Sequence, residues 1–285
     1  MTLVLAWETI EGVAVIADTR FGSAHQTVAA GGPKIFAVPI VLNRPGSSLD
    51  AEKSRLPAMG FAFAGNTFAG QTVNALASTC LQNLIVDGAF DDGPTVAQVA
   101  CLYARCAVLV VNERRKWHRT DNHLIEGLVF GRSSSSDAAQ AFSVLVQIDD
   151  NAMACCEAVE LNLSQGGVVA LGSGRDKVRE VYETHIQGSA EPGFFTAPDA
   201  LRRVMEDVET PSVGGHQQFA VATRSGVELR PGLRDLALQA LNPFVALEEA
   251  REANGINDYQ IMGYDMEAIG NVGKYPPTAT HFIAS

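Results

Sequence analysis

The sequence predicts an α+β fold, a four-layer αββα sandwich in which two antiparallel sheets face each other and helices cover both outer faces. Three observations support this fold class. Short apolar runs typical of strands occur in groups, and pairs of helical segments separate the groups. Strands and helices do not alternate one by one, as they would in a doubly wound parallel sheet. Finally, 47% of the 285 residues are hydrophobic, enough for a sizeable core.

The first group of strands consists of four apolar runs. Residues 3–7 and 11–17 are separated by the stretch ETIEG, a pattern typical of a hairpin. Residues 34–40 and 58–64 are two further strands. The residues between them, 41–57, include the polar stretch RPGSSLDAEKSR and are expected to form a long loop.

A helix pair and a second group of strands come next. Residues 66–87 and 95–114 carry apolar side chains at helical spacing. The second of these helices has more apolar residues than one core-facing stripe needs, which predicts an interface with a neighbouring subunit. The runs 124–131, 141–148 and 167–171 are the strands of the second group.

A second helix pair and a hairpin complete the core. The helices are expected over 172–186 and 197–208, with Thr196 as the N-cap of the latter. Residues 217–223 and 226–229 form the closing hairpin, separated by a turn-forming Ser-Gly pair.

The chain divides into a core and an extension. Residues 1–229 contain all the predicted strands, so we expect them to form one domain. Residues 231–255 are helical in pattern, and the remaining tail is rich in Gly, Pro and Tyr. We therefore expect 230–285 to be an extension packed on the core or on a neighbouring subunit, not a second domain.

Charge and hydropathy exclude several classes of partner. The net charge of −11 argues against nucleic acid and anionic membranes, because both favour basic patches. No run of about 18 apolar residues is present, so no membrane span is expected. The apolar stretch 3–7 meets Glu8 too soon for a secretory signal. The expectation is a soluble, cytoplasmic protein.

The sequence predicts no metal site, nucleotide site or disulfide framework. The five cysteines are odd in number and lack CxxC spacing. His118 and His123 are expected in a solvated loop and not as a metal pair. The stretch GSGRDK lacks both the third glycine of a dinucleotide fingerprint and a GK[ST] ending. We expect the protein to need no cofactor.

Thr2, Asp18 and Lys34 are the candidate catalytic residues. They are separated by sixteen residues each and lie beside strand-like runs. A threonine at a mature N-terminus can act as nucleophile, with its own α-amine, of pKa ~7.7–8.0, as general base. A nearby lysine would lower the pKa values of the hydroxyl and the amine, and an aspartate would hold that lysine. This chemistry requires removal of Met1, which precedes a small residue.

The chain resembles the proteasome β-subunit type of N-terminal-nucleophile hydrolase over residues 2–229. The motifs ADTRFG and PKIF are similar to the second and third strands of that family, with the same spacing of nucleophile, aspartate and lysine. FAGNTFAG resembles the family's oxyanion-hole segment, which implies that role for Gly65. VALGSGRDKV resembles its Gly-Ser-Gly turn and places Ser173 beside the amine. PSVGGHQQFAVATRSG resembles a late segment in which Ser212 is the matching serine, and Glu209 stands where an aspartate is expected.

The resemblance also implies a substrate pocket and an assembly. By family position, an apolar pocket for the substrate side chain would involve six residues: Phe21, Gly22, Gly32, Phe36, Phe63 and Thr67. The SVGG stretch and long tail are similar to the bacterial proteasome homologues related to Anbu-type proteins. A threonine-type endopeptidase in stacked rings of identical subunits is therefore expected, acting on peptide or unfolded protein, with an unidentified regulator possible.

Two alternatives stay open on the sequence alone. The same nucleophile can serve a small-molecule amidase, because a fold does not determine its substrate. A catalytically silent subunit with only a structural role in a ring would have the same fold.

Overall fold

The structure is a computed structural model that describes residues 2–22, 27–29, 31–44, 52–86, 93–117, 124–133, 136, 138–163, 167–188, 197–233, 264–265 and 281–282. Its strands, in chain order, are β1 Leu3–Thr9, β2 Gly12–Asp18, β3 Phe21–Gly22, β4 Thr27–Ala29, β5 Ile35–Arg44, β6 Glu52–Gly65, β7 Leu84–Ile85, β8 Ile125–Gly131, β9 Gln140–Ile148, β10 Ala154–Glu160, β11 Gly167–Gly172, β12 Gln217–Thr223, β13 Gly226–Leu233, β14 Tyr264–Asp265 and β15 His281–Phe282. The helices are α1 Thr67–Leu81, α2 Val96–Trp117, α3 Arg175–Gly188 and α4 Ala197–Glu206.

Two large sheets form the centre of the described structure. The first has the order β14-β13-β12-β2-β1-β11-β15, and its five inner strands are antiparallel to one another. The second has the order β10-β9-β8-β6-β5-β7 and is antiparallel except for the short β5–β7 pairing. β3 and β4 form a separate two-stranded ribbon.

Three apolar cores show that the sheets and helices form four layers. The core between the sheets contains Val4 and Val15 of the first sheet and Leu128 of the second. A second core packs α1 and α2 on the outer face of the second sheet, and a third packs α3 and α4 on the outer face of the first. The predicted α+β fold with two facing sheets between helix pairs is confirmed.

The double covering of the first sheet explains its sequence pattern. Leu3 and Leu5 of β1 point into the core under α3 and α4, whereas Val4 and Ala6 point between the sheets. Both faces of the strand are therefore buried. A strand buried on both faces is a continuous apolar run and does not alternate with polar residues.

Each of the first two helices begins at a cap that the sequence supplies. The Asn66 side chain accepts a hydrogen bond from the Ala69 N–H at 2.9 Å at the start of α1. Before α2, Thr95 and Gln98 form a reciprocal capping box: the Gln98 N–H donates to the Thr95 hydroxyl at 3.2 Å, and the Thr95 N–H donates to the Gln98 side chain at 2.8 Å. The prediction of 66–87 as one helix is too long, because residues 84–85 pair with β5 as β7.

The composition of α2 has a local explanation. Among the described helices, α2 is the one long and apolar enough to cross a membrane by length and composition alone. Half of its apolar window is buried inside the fold, and nine of its residues belong to the core against the second sheet. The inference of surplus apolar surface on this helix is therefore largely wrong: Leu109 and Trp117 are exposed, but Val96, Val99 and Tyr103 are buried.

Two predictions along the second sheet are corrected by the structure. Residues 41–57 are not simply a loop, because β5 runs to Arg44 and pairs with β6 from Glu52 onwards; only 45–51 lie outside the described residues. The strand β10 was not predicted. It lies at the edge of the sheet, where Glu157 and Glu160 interrupt the apolar pattern, yet it pairs with β9 along its whole length.

Within the extension, the structure describes residues 230–233, which are the end of β13, and two short strands. β14 pairs in parallel with β13, and β15 pairs in parallel with β11, so the two strands lie on opposite edges of the first sheet. The helical pattern predicted for 231–255 lies outside the described residues beyond Leu233, as do Thr196, His118 and His123. The division into a core and an extension stays a prediction.

Candidate active site

Three strand ends meet at Thr2. The residue lies immediately before β1, which is between β2 and β11 in the first sheet. Because β1 and β2 form an antiparallel hairpin, the start of β1 lies beside Asp18 at the end of β2. On the other side, Leu3 pairs with Gly172 at the end of β11. Thr2 and Asp18 are both buried.

The carboxylate of Asp18 is the centre of a buried hydrogen-bond network. Its Oδ1 accepts from the Leu3 N–H at 2.9 Å and from Lys34 Nζ at 2.8 Å. Its Oδ2 accepts from the Gly214 N–H at 3.0 Å and from the Arg20 N–H at 3.3 Å. These four donors stabilise the negative charge of the carboxylate. Through Oδ1, the carboxylate also links Leu3, the residue next to Thr2, to Lys34.

Lys34 is fully buried in an ion pair. Neither its side chain nor that of Asp18 is exposed to solvent, and the Phe21 ring lies 5.7 Å from Nζ. Burial lowers the pKa of Lys34 below the ordinary lysine value, because an ammonium is poorly solvated there. Asp18 opposes that effect, and the charge of Arg20 adds to it. The pKa of Lys34 is therefore lowered towards neutral pH, and the ion pair with Asp18 holds its ammonium in place.

Two glycines beside Thr2 have backbone conformations that other residues rarely adopt. Gly65 has φ +98°, and a Cβ there would fall 2.6 Å from the Leu124 carbonyl oxygen. Gly172 has φ +95°, and a Cβ there would fall 2.0 Å from the Thr2 carbonyl oxygen. Both positions require glycine. Gly172 lets the backbone of β11 pass directly against Thr2.

A cleft of about 360 Å³ opens beside Thr2. Gly65, Gly172 and Ser173 also line it, so the structure brings the predicted oxyanion-hole glycine and the Gly-Ser-Gly turn to the predicted nucleophile. The remaining lining residues are four apolar ones, Leu124, Ile125, Leu145 and Val146, and three charged ones, Glu126, Arg175 and Asp176. Its size suits a peptide side chain or a small amide.

Glu126 and Arg175 line this cleft and were not predicted from the sequence. Glu126 Oε2 accepts from the Gly172 N–H at 2.9 Å and from the Arg175 guanidinium. Arg175 Nε donates to the Gly172 carbonyl at 3.2 Å. The pair thus holds the backbone immediately before Ser173. A lone glutamate inside the apolar run of β8 was the sequence signal for it.

The loop before β12 brings Ser212 to the same end of the first sheet. Ser212 is buried, and Gly214 in the same loop donates to Asp18. The Arg20 N–H and the Thr19 N–H both donate to the Gly214 carbonyl, at 2.9 and 3.2 Å. Arg20 also donates through its guanidinium to the Pro211 carbonyl at 2.6 Å. Arg20, a further residue that sequence analysis missed, thus fastens this loop to the end of β2.

Glu209 does not join this network. Its side chain is 76% exposed and pairs with Lys177 at 3.2 Å. Lys177 also pairs with Asp207 at 2.9 Å and with Glu180 at 3.1 Å, and these bonds raise its pKa. The structure therefore places Glu209 in a surface ion cluster between α3 and the loop after α4.

Glu209→Ala is accordingly expected to change kcat/KM for a peptide substrate by less than about threefold. Lys177 keeps two other carboxylate partners in the variant, and exposed ion pairs contribute little to stability. The measurement is steady-state hydrolysis, with Glu180→Ala as a matched surface control. A tenfold loss confined to Glu209→Ala would show that this carboxylate acts on the reaction.

The residues predicted to bind substrate divide into two sets. Phe21 and Gly22 are half-buried in β3, and the Phe21 ring packs so closely on Gly32 that a Cβ there would fall 2.0 Å from it. The Phe21 ring also lies beside Lys34 Nζ. Phe36 and Phe63 stack with ring centroids 6.2 Å apart on the helix side of the second sheet.

The second set is less accessible than predicted. Phe63 is completely buried, so any contact with a substrate requires Phe36 or the half-buried Thr67, which begins α1. The cleft at Thr2 is lined instead by Gly65, Gly172 and Ser173 among others. None of the six predicted substrate-binding residues is among the residues that line the cleft at Thr2.

No group of three or more His, Cys, Asp or Glu residues suited to a metal ion occurs within the described part of the chain. The five cysteines are free thiols. Burial raises the pKa of Cys106 to about 11 and that of Cys156 to about 12, so neither is an activated nucleophile. Within this part of the chain, the best-formed candidate site is the one at Thr2.

Comparison with solved structures identifies a protein of the same fold. A subunit from a structure described as the helical assembly of the Anbu complex from Pseudomonas aeruginosa superposes with a TM-score of 0.54. The alignment covers 92% of this chain and 99% of the Anbu chain, at 15% sequence identity. No protein-family model and no curated protein matches the chain. The chain therefore has the proteasome-like fold of Anbu, and this similarity is one of fold alone.

Proposed function

We propose that the protein is an N-terminal-threonine peptidase that becomes active when Met1 is removed. The observation that carries the proposal is the buried Asp18–Lys34 ion pair, hydrogen-bonded to the residue next to Thr2. Burial of an ion pair costs desolvation free energy. Near a potential N-terminal hydroxyl, a lysine in such a pair can serve to lower the pKa of that hydroxyl. The cleft at Thr2 supplies space for a substrate.

The reaction proceeds in two halves. Thr2 Oγ attacks the carbonyl carbon of the scissile amide, and the hydroxyl proton passes to the α-amine of Thr2. The tetrahedral intermediate then expels the leaving amine, which takes that proton, and an ester to Thr2 remains. Water attacks the ester, with the α-amine again accepting a proton. The acid product leaves and the threonine hydroxyl is restored.

The surrounding residues have distinct roles in these steps. The Gly65 N–H stabilises the oxyanion, an interaction typically contributing about 3–4 kcal/mol. Lys34 stabilises negative charge on Thr2 Oγ, and Asp18 holds the lysine in place. Ser173 and Ser212 orient the α-amine and the attacking water.

Intact-protein mass and two substrate panels test this proposal. The active protein should lack Met1 and should hydrolyse fluorogenic peptides with apolar side chains before the scissile bond. Hydrolysis of small amides without peptides would show that the site is an amidase. A protein without Met1 that acts on neither panel, and does not react with an epoxyketone, would be a silent subunit and would overturn the proposal.

We further propose that identical subunits assemble. The structurally similar Anbu protein forms a helical assembly. In this chain, α1 and α2 expose three large apolar side chains, Phe68, Leu109 and Trp117, each more than 60% exposed. The assembly of Anbu is the main support for the proposal, and these three side chains are the apolar surface on the covering helices that a neighbouring subunit would bury.

Light scattering on the full-length protein is expected to give a homo-oligomer. A version ending after Leu233, which keeps β13 intact, is expected to give smaller or less stable particles because it lacks the strands on both edges of the first sheet. A monomeric full-length protein would contradict the assembly. An equally large and stable truncated oligomer would contradict the part given to the extension.

A further inference from the structure

We propose that Gln218 is the positioning residue for Lys34, a role that rests on the proposed function of the lysine. Gln218 lies on β12 in the first sheet, whereas Lys34 immediately precedes β5 in the second. The glutamine is therefore a side chain from one sheet that holds the backbone of the other at the candidate site.

Three hydrogen bonds join Gln218 to the start of β5. Its Oε1 accepts from the Lys34 N–H at 2.8 Å and from the Ile35 N–H at 2.9 Å. Its Nε2 donates to the Ile35 carbonyl at 2.6 Å. The residue is only 8% exposed, so water does not readily replace these bonds.

The position of β5 in its sheet explains why the bonds are needed. The β5 strand pairs with β6 on one side, where the Phe63 N–H donates to the Lys34 carbonyl at 3.1 Å. On its other side, β5 pairs with β7 only at Leu42 and Asn43. Near Lys34 that edge has no strand neighbour among the described residues. The Gln218 amide takes the place of one, since it both accepts from and donates to Ile35.

The same glutamine lies one residue from the position opposite Asp18, the partner of Lys34. In the pairing of β12 with β2, Gln217 is opposite Asp18 and Gln218 is opposite Ala17. The strand that runs beside the aspartate thus also holds the backbone of the lysine. The distance between carboxylate and ammonium is set from both ends, which leaves Lys34 little freedom to move away from Asp18.

Among the natural side chains of this length, glutamine is the uncharged one that can both accept the two N–H bonds and donate to the Ile35 carbonyl. Methionine has the same reach but neither donates nor accepts strongly. An ionised glutamate would accept both N–H bonds but could not donate to the Ile35 carbonyl. Asparagine is one methylene shorter. The inference therefore predicts a graded series of variants, not a simple loss.

The test uses the full-length protein with Gln218→Met, Gln218→Glu and the control Gln140→Met. Gln140 is half-buried on β9 outside the cleft at Thr2, and its amide donates to Glu160 at 2.9 Å. We expect kcat for a fluorogenic peptide to fall at least tenfold in Gln218→Met, with KM within twofold, and to fall less in Gln218→Glu. Gln140→Met should change neither constant. A kcat of Gln218→Met within twofold of the wild type would overturn the inference.

A double variant separates positioning from general packing. If Gln218 acts through Lys34, then Gln218→Met should lower the rate of epoxyketone acylation no further in a Lys34→Met background. A further tenfold loss in that background would show that Gln218 acts independently of the lysine, and would overturn its assignment.

A readout that does not depend on hydrolysis keeps the inference testable if the proposed function fails. Lysine acetylation rates, followed by peptide mapping, should be slow at Lys34 and at least tenfold faster in Gln218→Met, with Lys177 unchanged. Inactive wild-type protein that shows this pattern would contradict the peptidase but support the positioning role. An unchanged Lys34 rate in Gln218→Met would overturn the positioning role, whatever the activity.

Discussion

Thr2→Ala is expected to abolish peptide hydrolysis, lowering kcat by at least about a thousandfold, as removal of a catalytic nucleophile does. The substitution removes the hydroxyl that attacks the carbonyl and leaves the α-amine, the cleft and the Asp18–Lys34 pair in place. Because the Leu3 N–H, not the Thr2 side chain, donates to Asp18, the strand should keep its position. Hydrolysis of fluorogenic peptides and the mass of an epoxyketone adduct measure the effect.

Thr2→Ser is the matched control for this experiment. It keeps a hydroxyl at the same position and should retain hydrolysis and adduct formation at a reduced rate. Thr2→Ala should remain folded and assembled, since alanine fits where threonine does beside Gly172. Undiminished activity in Thr2→Ala would rule out Thr2 as the nucleophile.

Lys34→Met is expected to lower kcat by at least about a hundredfold. Without the ammonium, the negative charge that develops on Thr2 Oγ is not stabilised, and the pKa of the threonine hydroxyl is not lowered. Stability should fall as well, because breaking a buried ion pair leaves one charge uncompensated, typically at a cost of about 3–5 kcal/mol. Asp18 keeps three backbone N–H donors in the variant, which reduces that cost.

Two further variants separate the loss of chemistry from the loss of stability. Asp18→Asn combined with Lys34→Met removes both charges and should recover part of the thermal stability without recovering activity. Lys177→Met removes a lysine from the surface cluster and should leave hydrolysis within about threefold. Activity in the doubly substituted protein near the wild-type level would show that the pair is structural and takes no part in the reaction.

The parts of the site that follow from local sequence could be predicted. Thr2 and Asp18 lie at the two ends of one hairpin, so the length of two apolar strands already places them side by side. Lys34 follows from the same spacing together with the family resemblance. Gly65 and Ser173 were predicted from motifs at strand ends, and the structure places both on the cleft with Thr2.

The parts that depend on distant contacts could not be predicted. Gln218 contacts residues more than 180 positions away, and Glu126 and Arg175 meet across 49 positions. No periodicity in the sequence encodes such pairs. They are recognisable only as polar residues in otherwise apolar surroundings.

The errors in the fold prediction also have physical causes. The ends of β5 and β6 beyond Ile40 and Leu56 form a hairpin arm with many polar and half-exposed residues, so they lack the apolar run that marks the buried strands. The edge strand β10 has glutamates facing solvent. In both cases backbone pairing, not burial, forms the strand, and sequence patterns report burial far better than pairing.

The anchoring of Thr2 has a consequence for when the enzyme would be switched on. Its carbonyl packs on Gly172, and the next N–H is bound to Asp18, so these two contacts lie on the C-terminal side of its α-carbon. Neither of them requires a free amine. We therefore expect the subunit to fold and assemble as an inactive precursor that still carries Met1. Removal of Met1 by an aminopeptidase would then determine when activity begins. Material from a host slow in methionine excision should be fully assembled yet silent, and it should gain activity when the aminopeptidase is added afterwards.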